Sequence, residues 1–203
     1  MTSLENAIEF LHDKVYVQEK PTSPKRMDEM AEYVIEALES RGIEGWETEV
    51  KLDAFARDKQ WDVVHVVDGK PRVAISLKSI LRNLAGTVPN RTDDLIGEVA
   101  DLQMRYPEVI VGYVVIMDLA ETDRDPNASK WVSRMDSRLE SISGRQPPFW
   151  GRGTIEASEV IKAKLQGYSD PEVMTSEDEM AAFFETIDEQ YDERFRVDGY
   201  SNR

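Results

Sequence analysis

The 203-residue sequence contains no cysteine, which excludes disulfide bonds, thiolate zinc sites and a cysteine nucleophile. It has only two histidines, His12 and His65, so a histidine-rich metal site is excluded as well. Its longest apolar runs, such as residues 109–117, are far shorter than the ~20 residues that cross a membrane as a helix. The N-terminal segment lacks the basic start of a secretory signal. We therefore expect a cytoplasmic protein with no membrane contact.

Acidic side chains outnumber basic ones and give the sequence a formal net charge of −15. The charge is uneven, since residues 1–69 and 168–203 each carry a net −8, whereas residues 70–167 carry +1. An acidic surface of this kind is also typical of salt-adapted organisms and then says nothing about function. A chain of this charge binds nucleic acid only through a locally basic surface. If DNA is a partner, the balanced central segment is where we expect it to bind.

Apolar residues spaced three and four apart predict several amphipathic helices. These helices are expected at residues 3–14, 26–40, 92–106 and 128–143. Ser176 begins a capping box that predicts one more helix, with an apolar stripe that continues to Tyr191. The residues from Arg82 to Arg91 contain Gly86 and Pro89 and are predicted to form a polar loop that ends at an N-cap on Thr92.

Extended apolar segments predict four strands. They are expected at residues 46–53, 60–67, 72–80 and 109–118, whereas residues 155–165 are ambiguous. Asp68-Gly69 predicts a hairpin turn between the second and third strands. The order of elements predicts one α/β domain over residues 1–203, with a central mixed β-sheet flanked by helices. Its core is expected at about 26–120 and a helical C-terminal part at about 127–195.

The predicted hairpin carries the residues of greatest chemical interest. Asp62 begins an apolar strand, where an unpaired carboxylate is costly. On the next strand Ser76 and Lys78 are two residues apart and therefore share one face. Asp62 shares that face only if it lies opposite Ser76. This pairing requires either an odd-numbered loop at residues 68–70 or a bulge in the hairpin. A plain two-residue turn would instead pair Asp62 with Ile75. Alternatively, Asp62 and Lys78 lie at strand ends and reach water or pair with each other.

Glu98 and His65 are two further residues whose side chains could take part in catalysis. Glu98 lies at the margin of the apolar stripe of helix 92–106 and so is directed partly toward the sheet, unlike the glutamates of helix 26–40. It could complete a set with Asp62 and Lys78. His65 lies within an apolar strand and is interpreted as a packed core residue rather than a base.

Asp62 followed by Ser76-Leu77-Lys78 on the adjacent strand resembles the PD-(D/E)xK nuclease superfamily, with serine in place of the middle acid. This Ser-x-Lys form is similar to that of type II restriction endonucleases that cut sites containing CCGG. In those enzymes a glutamate from the following helix replaces the missing acid, and a basic element stands seven residues before it. Here Arg91 stands seven residues before Glu98.

The sequence also departs from that group. Trp61 stands in place of its proline, the spacing from Asp62 to Lys78 is shorter, and the segment from Lys78 to Glu98 is longer.

The resemblance implies a restriction-endonuclease-like fold and a Mg²⁺-dependent, sequence-specific endonuclease that cuts double-stranded DNA and leaves 5′-phosphates. Asp62 and Glu98 would bind the metal, and Lys78 would act on the attacking water. Ser76 would fill the vacated acid position. Glu47 or Glu49 is the alternative second metal ligand.

The segment that follows Lys78 is rich in side chains that read bases or bind phosphates. We expect DNA contacts from Ser79, Arg82, Asn83, Asn90 and Arg91. Arg145 and Arg152 are weaker candidates for a second contact.

A homodimer is expected, because cutting both strands requires two sites and a two-fold dimer reads a palindrome. Its interface would be the apolar stripe of residues 180–191 or that of helix 128–143, unless the first of these stripes packs onto its own sheet. Two alternatives to the restriction enzyme stay open. They are a repair or recombination nuclease of the same fold, and a non-catalytic acidic interaction protein.

Overall fold

The computed structural model describes residues 2–147 and 150–196. The helices are α1 (Leu4–His12), α2 (Asp28–Glu39), α3 (Leu84–Arg105), α4 (Ser129–Ile142) and α5 (Glu177–Phe195). The strands are β1 (Trp46–Leu52), β2 (Lys59–Val67), β3 (Lys70–Ile80), β4 (Ile110–Asp118), β5 (Ala157–Lys164) and β6 (Glu172–Val173). A π-helical turn (Asp13–Val17) extends α1, and short 3-10 turns lie at Pro24–Met27 and Leu119–Glu121. The predicted α/β class is confirmed.

The six strands form one mixed sheet in the order β1-β2-β3-β4-β5-β6. The first three strands are antiparallel to one another, β3, β4 and β5 run parallel, and β6 is antiparallel to β5. Every residue of β4 is buried, as expected for a strand covered on both faces. The ambiguous segment 155–165 contains β5, so the C-terminal part that was predicted to be helical contributes two strands.

Helices cover both faces of the sheet. One apolar core forms between the sheet and α1, α2 and α5, and the other forms between the sheet and α3 and α4. Asp62, Ser76 and Lys78 lie in strands between these two layers.

Helix α5 begins with the predicted capping box at Ser176. Its apolar stripe does not form a free surface, because four of its side chains are buried in the core on the face of the sheet that α5 covers: Met180, Phe183, Phe184 and Ile187. In the stripe of α4, Met135 and Leu139 are buried in the second core, whereas Trp131 and Ile142 are only partly buried. The α5 interface expected from the sequence is therefore wrong, because its stripe packs onto its own sheet, and the α4 interface stays a prediction.

Helix α3 begins much earlier than the sequence pattern predicted. Asn83 is its N-cap, in a left-handed conformation (φ 52°), and its side chain accepts a hydrogen bond from the backbone N–H of Gly86. The expected loop over residues 82–91 and the expected cap at Thr92 are wrong. Gly86 and Pro89 suggested a loop, but both lie in the first two turns of the helix, where proline removes one backbone hydrogen bond. The apolar spacing of Leu84 and Val88 is the signal that extends the stripe backward.

A buried ionic cluster joins α5 to the segment before β5. Glu156 accepts a hydrogen bond from Arg145 at 2.7 Å and forms an ion pair with Arg194 at 2.8 Å, and all three side chains are almost completely buried. Both guanidinium groups also lie over the Trp150 ring. Arg145 is thus a structural residue, and its expected DNA contact is wrong, whereas Arg152 is exposed.

In the part of the chain that the structure describes, no helix combines the length and the apolar character needed to cross a membrane.

Candidate active site

The β2–β3 hairpin contains both a two-residue turn and a bulge. Asp68 and Gly69 form the turn with positive φ angles of 51° and 71°, and Val67 pairs with Lys70. The register then shifts between Val66 and His65, which leaves one extra residue on β3.

The shift changes what lies opposite Asp62. The turn alone would place Asp62 opposite Ile75, but after the bulge Ile75 pairs with Val63, and the next position on β3 is Ser76. Of the two arrangements that would place Asp62 opposite Ser76, an odd-numbered loop at residues 68–70 or a bulge, the structure has the bulge.

Beyond the Val63–Ile75 pair, β2 and β3 stop pairing, and the Asp62 carboxylate lies at this divergence. Its Oδ2 atom accepts three hydrogen bonds, from the backbone N–H of Leu77 at 2.7 Å, from Lys78 Nζ at 2.8 Å and from Ser76 Oγ at 3.3 Å. Its Oδ1 atom accepts none within the described residues. The structure therefore brings together three of the four predicted catalytic residues and leaves one carboxylate oxygen unused.

The Asp62–Lys78 ion pair is neither fully exposed nor fully buried. The side chains retain 21% and 24% of their accessible surface, respectively. At this exposure the charges are only partly desolvated, and a ligand from solvent can reach them. Ser76 is buried, so its hydroxyl serves to fix the carboxylate rather than to contact solvent.

A cavity of about 240 Å³ lies between the start of α2 and the diverging strands, and Asp62 lines it. Three more carboxylates line the same cavity, from Asp28, Glu32 and Glu49. Glu32 is exposed, as expected for a glutamate on the far side of α2, and it lies at the edge of this cavity.

Glu49 has an unusual backbone. Its neighbours Thr48 and Val50 pair with Val63 and Trp61, so Glu49 lies opposite Asp62 on the edge strand. Its φ is 56°, a left-handed conformation that is uncommon for a residue other than glycine. This irregularity lies within β1, opposite Asp62, and leaves the register of the β1–β2 pair unchanged.

Glu98 forms an ion pair with Lys59 and keeps 15% of its side-chain surface exposed. It lies on α3, which packs on the face of the sheet opposite α2. Its charge and that of Asp62 both act on the hydroxyl of Tyr113, which lies beside Ser76 in the parallel register. Burial is the main cause that raises the pKa of Tyr113, and these carboxylates raise it further. Glu98 is therefore near the three clustered residues but makes no hydrogen bond to them.

Within residues 2–147 and 150–196, no three histidine, aspartate or glutamate side chains are grouped closely enough to hold a metal ion by themselves. A divalent cation bound by the described residues alone would therefore have fewer than three such ligands.

The residues predicted to contact DNA are distributed over two elements. Ser79 and Arg82 line a cavity of about 430 Å³ at the C-terminal end of β3. Asn83 and Asn90 are exposed at the cap and in the second turn of α3. Arg91 is half-buried, with Nη1 3.6 Å from Asp94 Oδ2.

Arg26, which the sequence analysis missed, also lines the 430 Å³ cavity and donates from Nε to Ser79 Oγ at 3.3 Å. It lies in the breaker-rich segment before α2, and no periodicity there predicts which side chains turn toward β3.

His65 is buried and takes no part in the site. Its Nε2 atom lies 2.9 Å from the Tyr191 hydroxyl, and burial lowers its pKa. Its interpretation as a packed core residue is confirmed.

The family model described as Restriction endonuclease XhoI matches residues 15–130, more than half of the chain. The matched segment runs from the end of α1 to the start of α4, and so includes Asp62, Ser76, Lys78 and Glu98. No curated protein and no solved structure matches the chain.

Proposed function

The chain belongs to the XhoI restriction endonuclease family, and from this membership we propose that it is a type II enzyme of the PD-(D/E)xK superfamily that cuts double-stranded DNA at a specific sequence. Its reaction would require Mg²⁺ and leave 5′-phosphates. The observation that carries the proposal is the Asp62 carboxylate, held at the divergence of β2 and β3 by Leu77, Ser76 and Lys78.

The donor set fits Mg²⁺, because this ion is usually held by one or two carboxylates together with waters and substrate phosphates. The absence of a three-ligand protein cluster among the described residues agrees with that preference. Asp62 Oδ1 accepts no hydrogen bond from the described residues and is available as the first ligand. When bound, Mg²⁺ supplies Lewis acidity toward the phosphate and toward water.

For the second carboxylate, Glu49 has the better position. It lines the same cavity as Asp62 and lies opposite it across the β1–β2 pair. Glu98, the ligand that the family resemblance implies, is held by the charged Lys59 and would have to leave that ion pair to reach the metal, whereas Glu49 accepts a hydrogen bond from the neutral amide of Gln60. We therefore propose Asp62 and Glu49 as the protein ligands, with Glu98 as the alternative that an experiment must separate from it.

Lys78 would act directly on the reaction. Its ammonium group is fixed 2.8 Å from Asp62 Oδ2 and 3.2 Å from the carbonyl oxygen of Leu77. A cation held in this way orients an attacking water and stabilises the negative charge that develops on the phosphate. Ser76 and the Leu77 N–H would keep the carboxylate oriented throughout.

The proposed DNA contacts follow from exposure at the end of β3 and the start of α3. Ser79, Arg82, Asn83 and Asn90 are exposed or partly exposed there. Arg91 would reach DNA only by leaving Asp94.

A plasmid assay tests the proposal. The purified protein is incubated with plasmid DNA and Mg²⁺, and an Asp62→Asn variant purified in the same way controls for contaminating nucleases. Discrete fragments that depend on Mg²⁺ are the expected result. A smear would favour a repair or recombination nuclease of the same fold. Intact DNA would contradict the proposal and favour the non-catalytic interaction protein.

A further inference from the structure

The cavity at the C-terminal end of β3 carries a local excess of positive charge in a chain whose net charge is −15. Two guanidinium groups line it, from Arg26 and Arg82, against one carboxylate, from Glu19. The remaining polar lining is neutral and can accept or donate hydrogen bonds: Tyr16, Ser79, Thr87 and Gln166. A locally cationic concave site on an acidic protein attracts anions selectively.

Neither guanidinium is neutralised by an ion pair within the described residues. Arg26 donates from Nε to Ser79 Oγ and from Nη1 to the carbonyl oxygen of Ser23, so its Nη2 group makes no hydrogen bond there. The Arg82 side chain is exposed and makes none in the same part of the chain. Both therefore keep donors for an anionic ligand.

A third guanidinium lies close by, since Arg124 donates to Gln166 at 3.3 Å. The buried carboxylate of Asp118 lies behind the Tyr16 hydroxyl, which donates to it at 2.7 Å. Backbone N–H groups, including those of Leu165 and Gln166, also donate to Asp118, and these hydrogen bonds offset its charge.

This cavity adjoins the candidate active site. Leu77 lines the cavity that contains Asp62, and Ser79, two residues further along β3, lines the arginine cavity. Two residues of a strand span about 7 Å. Arg26 lines one cavity while the next two residues of the chain, Met27 and Asp28, line the other. A polymer with regularly spaced phosphates can therefore occupy both at once.

We propose that Arg26, together with Arg82, binds a backbone phosphate of the cleaved DNA strand that neighbours the scissile phosphate. The inference rests on the proposed function. Arg26 is then a positioning residue, because a phosphate contact fixes the register of the strand over Asp62 without reading its sequence.

The salt dependence of DNA binding tests this assignment. Affinity for a fluorescein-labelled duplex of about 20 base pairs is measured by anisotropy over a series of KCl concentrations, without Mg²⁺ and in the Asp62→Asn background. Each neutralised phosphate contributes about 0.9 to the slope of log K against log salt. Arg26→Ala should lower the slope by about 0.9, and Arg26→Lys should preserve most of it.

Lys25→Ala is the matched control, because Lys25 is exposed, adjacent in sequence and outside the cavity. It should leave the slope unchanged. Arg82→Ala gives a second variant that removes no hydrogen bond from the described fold, and it should also lower the slope. An unchanged slope in Arg26→Ala, or an equal loss in Lys25→Ala, would overturn the assignment.

Neutral methylphosphonates locate the phosphate once the cut site has been mapped. A single substitution at the phosphate next to the scissile one should slow cleavage by the wild type but have little effect on Arg26→Ala. If Arg26→Ala remains as sensitive as the wild type to the substitution at every position, Arg26 does not contact a backbone phosphate near the cut site.

Failure to bind any duplex would refute the proposed function and this inference together, whereas DNA binding that is independent of Arg26 refutes the inference alone.

Discussion

The backbone N–H of Leu77 donates a 2.7 Å hydrogen bond to the carboxylate of Asp62, at the level where β2 and β3 stop pairing. A backbone donor holds the carboxylate independently of side-chain rotamers, so its orientation is set by the fold. Lys78 and Ser76 donate to the same oxygen and leave the other one without a hydrogen bond in the described part of the chain. Such preorganisation is what a metal ligand requires, because the cost of orienting it has been met by folding.

Lys78→Ala should lower single-turnover DNA cleavage by about 10²–10³-fold or more, because it removes a cation that stabilises developing charge. Folding and duplex binding should change little, since the side chain is partly exposed and belongs to neither apolar core. Lys70→Ala, on an exposed residue at the other end of β3, is the control and should cleave normally. Cleavage by Lys78→Ala at the wild-type rate would sink the assignment.

Glu49→Gln and Glu98→Gln separate the two candidates for the second metal ligand. If Glu49 binds the metal, its substitution should shift the Mg²⁺ titration of cleavage to higher concentration, because an amide oxygen carries no charge to offset that of the cation. Glu98→Gln should leave that midpoint in place, since its partner is Lys59. The reverse pattern would show that Glu98 leaves Lys59 when metal and DNA are bound.

The geometry of the hairpin could be predicted from the sequence because the relevant rules are local. Period-two alternation and the Asp68-Gly69 turn showed that Asp62 shares a face with Ser76 only through an odd-numbered loop or a bulge, and the structure has a bulge. The same local reasoning failed at α3, where Gly86 and Pro89 carried more weight than the apolar spacing that continues back to Leu84. A helix held by packing on the sheet tolerates such residues, and packing is not visible in a short sequence window.

The positions of some side chains near the site depend on tertiary contacts and could not be predicted from the sequence. Glu32 lines the cavity of Asp62, and Arg26 lines the neighbouring cavity and donates a hydrogen bond to Ser79, so both placements depend on contacts between segments far apart in sequence. The stripe of α5 was equally ambiguous, since an apolar face that covers its own sheet and one that covers a partner have the same periodicity.

Glu156→Gln should destabilise the protein by about 3–5 kcal/mol, because it leaves the buried charges of Arg145 and Arg194 without their counterion. Urea denaturation followed by circular dichroism measures the change. Glu140→Gln, on an exposed residue of α4, should leave the transition within about 0.5 kcal/mol of the wild type. A similarly small effect of Glu156→Gln would mean that water or backbone carbonyls already satisfy both guanidinium groups.

The pH dependence of stability should report the burial of His65. Because burial lowers the pKa of His65, the unfolded chain binds a proton more readily than the folded one. Its contribution to stability is fully present above the ordinary histidine pKa of about 6.5 and is lost as the pH falls below it. The wild type should therefore lose more stability than His65→Phe between pH 7 and pH 5. A difference between the two proteins that stays constant over that range would contradict this account.

A homodimer remains our prediction for the active species, although four side chains of the α5 stripe are buried in the core and only the partly buried residues of the α4 stripe remain for an interface. One chain offers one Asp62–Lys78 site, and concerted cutting of two strands requires two such sites.

Light scattering should show a dimer, free or assembled on DNA, and supercoiled plasmid should become linear without accumulating nicked circles. Mixing wild-type protein with excess Lys78→Ala should then yield nicked circles, because a mixed dimer cuts a single strand. Two outcomes would refute the dimer. In the first, the protein stays monomeric on DNA and still linearises plasmid. In the second, the cleavage rate of the mixed sample falls only in proportion to the wild-type fraction, without nicked circles.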